Sequence, residues 1–146
     1  MAERKVFVSF DYDNDRRYKH LLQAWSANPK FEFVFRDMTP GEIDTYDIGR
    51  IKAGLTAKIN DSDYTLVIVG QYANSLHRHH ELIGFRNWIN FEVHQSIEAG
   101  NRIGVVRLDA NYVTPEQLQY TRYYWITGFT EQNVVDVLDK AATATV

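Results

Sequence analysis

The sequence predicts an α/β domain in which a doubly wound, five-stranded, mostly parallel sheet carries helices on both faces. Short β-branched and aromatic runs alternate with segments in which apolar residues recur every three or four positions. Residues 66–69 are the most uniformly apolar run, which is typical of a central parallel strand. Five strands in 146 residues fit the flavodoxin-like strand order 2-1-3-4-5. We expect one domain over residues 1–146, with a ligand site at the carboxyl ends of the first and third strands.

The first half of the chain carries two strands and two helices. Residues 6–10 and 31–35 have the β-branched and aromatic composition of strands, and an apolar stripe predicts a helix over about residues 15–26. A second stripe, from Ile48 to Ile59, predicts the next helix. The polar stretches 36–47 and 71–86 are read as long loops, which in a compact domain are usually functional. They leave from the rim where the ligand site is expected.

The second half repeats the alternation. A helical stripe begins at Trp88, with Asn87 as a plausible N-cap. Residues 103–108 and 123–126 complete the five strands. The two remaining helices are each predicted to open at a threonine cap, Thr114 and Thr130.

Composition removes several classes of function. The chain has no cysteine, which excludes a disulfide scaffold, a thiolate zinc site and a cysteine nucleophile. A net charge of −3 gives nucleic acid no general electrostatic attraction. No apolar run is long enough to cross a membrane, and no signal peptide opens the chain. We therefore expect a cytoplasmic domain that binds neither nucleic acid nor membrane.

The acidic segment 11–15 fits none of the standard sites that it resembles. Arg16 stands where a calcium-binding loop needs glycine, and Leu22 where it needs glutamate. A phospho-receiver domain needs an acceptor aspartate near Gly70, and the sequence has none at that position. A flavin-binding domain holds the flavin phosphate in the loop after the first strand, where three aspartates would repel it. Neither a Gly-x-Gly-x-x-Gly motif nor a P-loop is present.

Two further clusters allow more than one interpretation. Residues 77–81, His-Arg-His-His-Glu, fit no standard metal spacing, so we expect an exposed polar loop and no metal site, with substrate contact left open. Aromatic residues at positions 120 and 123–125 are expected to fill the sheet edge or to form a partner surface.

Trp88 and Glu92 are the most informative pair in the sequence. They are four residues apart and share one face of a predicted helix, bordering its apolar stripe. A carboxylate on the core side of a helix needs a partner or a purpose. An exposed or snorkelling glutamate is the alternative, but because this helix begins at the expected ligand crevice, its location favours a functional role for Glu92.

These residues resemble those of TIR domains. Residues 6–10 followed by an aspartate are similar to the opening TIR strand, and residues 61–70 to the third strand with its lead-in. The Trp88-x-x-x-Glu92 helix resembles the one that carries the TIR catalytic glutamate. The closest branch is the TIR-like family with a flavodoxin-like fold that includes the ThsB component of the Thoeris anti-phage system.

The resemblance implies cleavage of NAD⁺ between nicotinamide and ribose, with NAD⁺ as substrate and no cofactor. It implies that Glu92 is catalytic, that Trp88 shapes a wall, and that three residues of the first strand and one of the third line the pocket: Ser9, Phe10, Asp11 and Gly70. It further implies an ADP-ribose-derived signal that activates a separate effector protein. A phage-derived trigger and self-assembly are further expectations.

The chemistry of NAD⁺ cleavage supports this interpretation independently of the resemblance. Nicotinamide leaves NAD⁺ as a neutral molecule, so one carboxylate that stabilises the cationic transition state is sufficient. The diphosphate needs positive partners, for which Arg16, Arg17 and Arg86 are candidates. Two alternatives stay open: a non-catalytic interaction module, and a nucleoside deoxyribosyltransferase-like enzyme with a glutamate nucleophile.

Overall fold

The computed structural model describes residues 4–27, 33–36 and 47–143. Within these ranges five strands form one sheet in the order β2-β1-β3-β4-β5, and every neighbouring pair is parallel. The predicted fold class and strand order are confirmed. The strands are β1 (Arg4–Ser9), β2 (Phe33–Arg36), β3 (Tyr64–Val69), β4 (Arg102–Arg107) and β5 (Tyr124–Thr127).

Helices cover both faces of the sheet. They are α1 (Tyr12–Ser26), α2 (Ile48–Asn60), α3 (His80–Ile83), α4 (Trp88–Ala99), a 3-10 helix (Glu116–Tyr120) and α5 (Glu131–Thr143). On one face, Leu22 of α1 and Leu138 of α5 pack with Leu66 of β3. On the other face, Val93 of α4 packs on Val67 of β3. Leu55 of α2 packs on Phe7 of the neighbouring strand β1. The alternating faces of β3 thus carry two separate apolar layers.

The start of α1 differs from the prediction. The helix begins at Tyr12 and not at Asp15, because the Asp11 carboxylate accepts a hydrogen bond from the backbone N–H of Asp13 and caps it. Asp15 itself has non-helical backbone angles (φ −118°, ψ 20°), so the first turn is set off from the rest by a kink.

Contrary to the prediction from the sequence, the segment 71–86 is not a continuous loop. It contains α3, which ends at Gly84 in the left-handed conformation (φ 84°). Residues 31–32 of the predicted second strand and residues 37–46 of the other predicted loop lie outside the described part of the chain.

Two of the three predicted caps are confirmed. Asn87 accepts from the N–H of Asn90, and Thr130 accepts from the N–H of Asn133. The cap at Thr114 is wrong: Pro115 precedes the 3-10 helix, whose capping position makes no side-chain hydrogen bond. Distant side chains bind the N–H groups there instead.

Within the described residues, no helix is both long enough and apolar enough to cross a membrane.

Candidate active site

Glu92 lies in the interior of the protein, at the second turn of α4. The helix begins there because Asn87 caps it and because Ile89 and Val93 face the sheet. Glu92 is only 2% exposed, and Ser9 Oγ at the end of β1 donates a hydrogen bond of 2.6 Å to its Oε1. The prediction that Glu92 lies on the core side of its helix is confirmed.

Burial dominates the acidity of this group. Desolvation raises the pKa of Glu92 to about 8, and the hydrogen bond from Ser9 acts in the opposite direction. The carboxyl group is therefore largely protonated at neutral pH. A positive charge placed beside it would favour the ionised form.

A cleft of about 360 Å³ opens at the carboxyl ends of β1 and β3. Three segments form it: the start of α1, the chain after β3 and the start of α4. Its lining residues are Phe10, Asp11, Tyr12, Asp13, Asn14, Tyr72, Ser75, Leu76, His77, Asn87, Trp88 and Ile89. The cleft lies where the strand order reverses, as predicted for this fold class.

The sequence-predicted site residues fall into three groups. Phe10, Asp11 and Trp88 line the cleft. Ser9 contacts Glu92 directly, and neither of these two belongs to the lining. Since Ser9 precedes Phe10 and Glu92 follows Trp88 by one turn, the carboxyl group lies directly behind the cleft wall.

The other two predicted residues lie beside the cleft. The Arg16 guanidinium stacks on the ring of Tyr12, 4.7 Å from its centroid, so Arg16 sits next to a lining residue without lining the cleft. Gly70 is buried and packs against the carboxylate of Asp15. A Cβ atom on Gly70 would collide with Asp15 Oδ2, so this glycine leaves room for the carboxylate.

Asp15 is a buried carboxylate that sequence reasoning missed. It is 7% exposed, and its Oδ2 has no hydrogen-bond partner among the residues that the structure describes. Burial and the carboxylate of Asp11 raise the pKa of Asp15 to about 6, while Arg17 acts to lower it. No sequence signal marked it, because its neighbour Gly70 is 55 residues away along the chain.

Three asparagines hold the cleft wall together, and of these the sequence indicated only Asn87, as a helix cap. Asn87 donates hydrogen bonds of 2.9 Å to the carbonyls of Ala73 and Ser75, and so ties the chain after β3 to the start of α4. Asn90 donates to Asn74 Oδ1. The two acceptor oxygens bind the first N–H groups of the 3-10 helix: Asn74 Oδ1 that of Glu116 and Asn90 Oδ1 that of Gln117.

The histidine-rich segment 77–81 divides between two surfaces. His77 lines the cleft, and burial together with His79 and Arg78 lowers its pKa, while Asp13 acts to raise it. His80 and Glu81 line a neighbouring open groove with Arg86. Among the described residues, no three His, Cys, Asp or Glu side chains are grouped so that they could hold a metal ion.

Comparison with known proteins gives one family and a fold. The family model "Thoeris protein ThsB, TIR-like domain" matches residues 7–112. No curated protein sequence matches.

Two solved structures share the fold. One is a 2-deoxyribosyltransferase from Bacillus psychrosaccharolyticus, with a TM-score of 0.55, 14% identity and coverage of 90% of each chain. The other is a 2-deoxyribosyltransferase from Leishmania mexicana, with a TM-score of 0.59, 12% identity and coverage of 93% of this chain and 97% of that one. At these identities the likeness concerns the fold alone.

Proposed function

This chain belongs to the Thoeris ThsB TIR-like domain family, and we propose that it cleaves NAD⁺ at the nicotinamide–ribose bond to make an ADP-ribose-derived signal in anti-phage defence. The observation that carries the proposal is the buried carboxyl of Glu92, held by Ser9 directly behind an aromatic cleft. A glutamate buried against the Ser9 hydroxyl, with no charged partner among the described residues, costs stability, which is typical of residues retained for chemistry.

The reaction needs one carboxylate. The bond between ribose C1′ and the pyridinium nitrogen breaks, and its electron pair stays with the nitrogen, so nicotinamide leaves as a neutral molecule. The positive charge passes to the ribose, where an ionised Glu92 stabilises it; in a site without water this electrostatic contribution is large. Water or another nucleophile then attacks C1′; when water attacks, a C1′–O bond forms and one proton passes to the solvent.

The raised pKa of Glu92 is compatible with this role, because the substrate carries a positive charge on its pyridinium ring. Without ligand, burial holds the pKa at about 8 and the group keeps its proton. A cationic pyridinium ring beside the carboxyl favours ionisation, so substrate binding itself generates the active form.

The ribose must reach a carboxyl group that the cleft does not expose. Phe10 and Trp88 belong to the wall in front of Glu92. We propose that these side chains move aside when substrate binds, and that Trp88 then covers the sugar. Arg16 beside Tyr12 is the candidate partner of the diphosphate.

The test is nicotinamide release from NAD⁺ by the purified protein and by Glu92→Gln. Loss of release in Glu92→Gln supports the proposal, and unchanged release overturns the role of Glu92. Glu98→Gln is the matched control, because Glu98 is exposed on the same helix and lies outside the cleft. Mass spectrometry of the reaction identifies the ADP-ribose-derived product.

The family's setting suggests the partners. We propose that the signal activates a separate effector protein, that a phage-derived component triggers production in the cytoplasm, and that copies of this chain assemble. Three exposed aromatic side chains at β5 and the preceding segment offer contact area for a partner: Tyr120, Tyr124 and Trp125 are 67%, 41% and 55% exposed.

The shared fold of two 2-deoxyribosyltransferases favours a second candidate function. In that case Glu92 would be a covalent nucleophile toward a nucleoside, and the base would leave as the glycosyl–enzyme bond forms. Incubation with 2′-deoxynucleosides followed by intact-protein mass spectrometry separates the candidates. A glycosyl adduct on Glu92 supports transfer, and nicotinamide release without any adduct supports NAD⁺ cleavage.

A further inference from the structure

The walls of the cleft carry negative charge with no permanent positive charge among the residues that line it. Asp11 and Asp13 are the two carboxylates, and no lysine or arginine is among the described lining residues. His77 does not offset them, because burial and neighbouring cationic groups lower its pKa. A cleft lined by one sign of charge concentrates ligands of the opposite sign.

Asp13 is the carboxylate best placed to act on a ligand. It is exposed in the first turn of α1 and lines the cleft together with His77, which belongs to the segment after β3. The Asp13 carboxylate acts to raise the pKa of His77, so its charge is felt by a lining residue of another segment. Asp11 is also anionic, but its two oxygens already accept hydrogen bonds from the Asp13 N–H and from Asn14 Nδ2.

Aromatic rings form part of the surface that a flat ligand would meet. Phe10, Tyr12 and Trp88 all line the cleft. The π face of such a ring attracts a cation, most strongly where water is excluded. Aromatic walls combined with carboxylates favour a flat, positively charged group over a neutral one of the same shape.

We propose that Asp13 is a specificity-determining residue that selects a cationic leaving group, so that the substrates of this site are N-ribosyl pyridinium compounds. The inference rests on the proposed function and deepens it. The pyridinium ring enters the cleft, while the diphosphate stays outside beside Arg16, which stacks on Tyr12 at the rim. Nicotinamide riboside, which lacks the diphosphate and adenosine, contains every feature that the cleft recognises.

Binding measurements test this separately from catalysis. Isothermal titration calorimetry on Glu92→Gln compares nicotinamide riboside with its dihydro form, which has nearly the same shape but no charge. We expect the cationic form to bind about tenfold more tightly at low salt and the preference to shrink as sodium chloride is raised.

Three substitutions on the Glu92→Gln background locate the effect. Asp13→Asn is expected to weaken binding of nicotinamide riboside about two- to fivefold, the range of an exposed charge pair, with no change for the dihydro form. Arg16→Gln is expected to weaken binding of NAD⁺ but not of nicotinamide riboside. Glu98→Gln is expected to change neither.

The outcomes are distinguishable. Equal affinity for the charged and neutral forms, no binding of either, or an unchanged preference in Asp13→Asn would each overturn the inference while leaving nicotinamide release by the parent protein unaffected. Absence of nicotinamide release would overturn the proposed function, and the charge preference would still be measurable in the calorimeter.

Discussion

Glu92 is a residue whose ionisation the folded state opposes. Its pKa is raised to about 8 in the folded protein from an ordinary value of 4.5, because burial removes the carboxylate from water. Between these two values the unfolded chain releases a proton that the folded chain keeps. The free energy of unfolding therefore falls as the pH rises from about 4.5 to 8, and the loss is complete above that range.

We predict that Glu92→Gln stabilises the protein at neutral and alkaline pH. Glutamine keeps the shape and an acceptor for Ser9 but never ionises, so the pH-dependent loss disappears. The gain over the parent is expected to be near zero at pH 4.5 and to reach on the order of a few kcal/mol at pH 8. Urea denaturation of both proteins at several pH values measures it, and a gain that is the same at all pH values would contradict the explanation.

A second prediction concerns the pH dependence of activity. The hydrogen bond from Ser9 lowers the pKa of Glu92, so its removal in Ser9→Ala raises that pKa further. The rising limb of kcat/KM for nicotinamide release, which reports the free enzyme, is expected to move to higher pH by up to about one unit.

Ser96→Ala is the control for this prediction. Ser96 is equally buried, but its hydroxyl bonds to the backbone carbonyl of Glu92 and to Thr65 and makes no bond to the carboxyl group. Its loss is expected to lower stability without moving the pH profile. An identical profile in Ser9→Ala would show that the hydroxyl does not tune the carboxyl group.

At the scale of single residues, contacts between residues far apart along the chain could not be predicted from the sequence. The burial of Glu92 followed from the apolar stripe beside it, because helical spacing is a local property. Asp15 and Gly70 gave no such signal, although Gly70 leaves room for the Asp15 carboxylate. Only the pairing of β1 with β3 brings the segments after them together.

At the level of elements, local caps were predictable and tertiary caps were not. Asn87 and Thr130 each bind an N–H group three residues away, which the sequence shows directly. The 3-10 helix has its N–H groups bound by Asn74 and Asn90, which belong to other segments. Thr114 therefore fits the sequence pattern of an N-cap, but Asn74 and Asn90 bind the N–H groups of the 3-10 helix instead.

We predict that Asn90→Ala loosens the 3-10 helix. Asn90 is fully buried and accepts from the Gln117 N–H, so its truncation leaves that donor without a partner and removes one of the two hydrogen bonds that Asn74 Oδ1 accepts. The expected loss is about 1–3 kcal/mol of unfolding free energy, with faster hydrogen exchange at the Gln117 amide.

Asn133→Ala is the control for the asparagine prediction. Its side chain donates hydrogen bonds to the backbone carbonyls of Thr127 and Gly128 at the end of β5, away from the 3-10 helix. We expect hydrogen exchange at Gln117 to stay at the parent rate in this variant. Slow exchange at Gln117 in Asn90→Ala would show that the 3-10 helix is held by other contacts.

For the whole molecule, the sheet order places the site. Because β1 and β3 are neighbours and their connections leave in opposite directions, α1 and α4 begin on either side of one crevice. Strand alternation in the sequence was sufficient to predict this location. The cleft lining was not predictable in full, since Tyr72, Ser75 and Leu76 lie in the segment after β3, which the hydrogen bond from Asn87 to the Ser75 carbonyl ties to the start of α4.

The last prediction concerns the packing of α5 on β4, which lies away from the cleft. Gly104 in β4 faces α5, and a Cβ there would lie 3.3 Å from Val137 Cγ1 and 3.4 Å from the backbone oxygen of Val137. Valine has a stiff side chain and Val137 is buried, so the helix must shift away from the sheet. We expect Gly104→Ala to cost about 1–3 kcal/mol of unfolding free energy.

A double-mutant cycle with Val137→Ala checks the cause. Truncating Val137 removes the closer of the two contacts, so the cost of both changes together is expected to be smaller than the sum of the single costs. Neither residue touches the cleft, so nicotinamide release per folded molecule is expected to equal that of the parent. Strictly additive costs would contradict the steric explanation, and impaired release by fully folded Gly104→Ala would show that the packing of α5 on the sheet reaches the site.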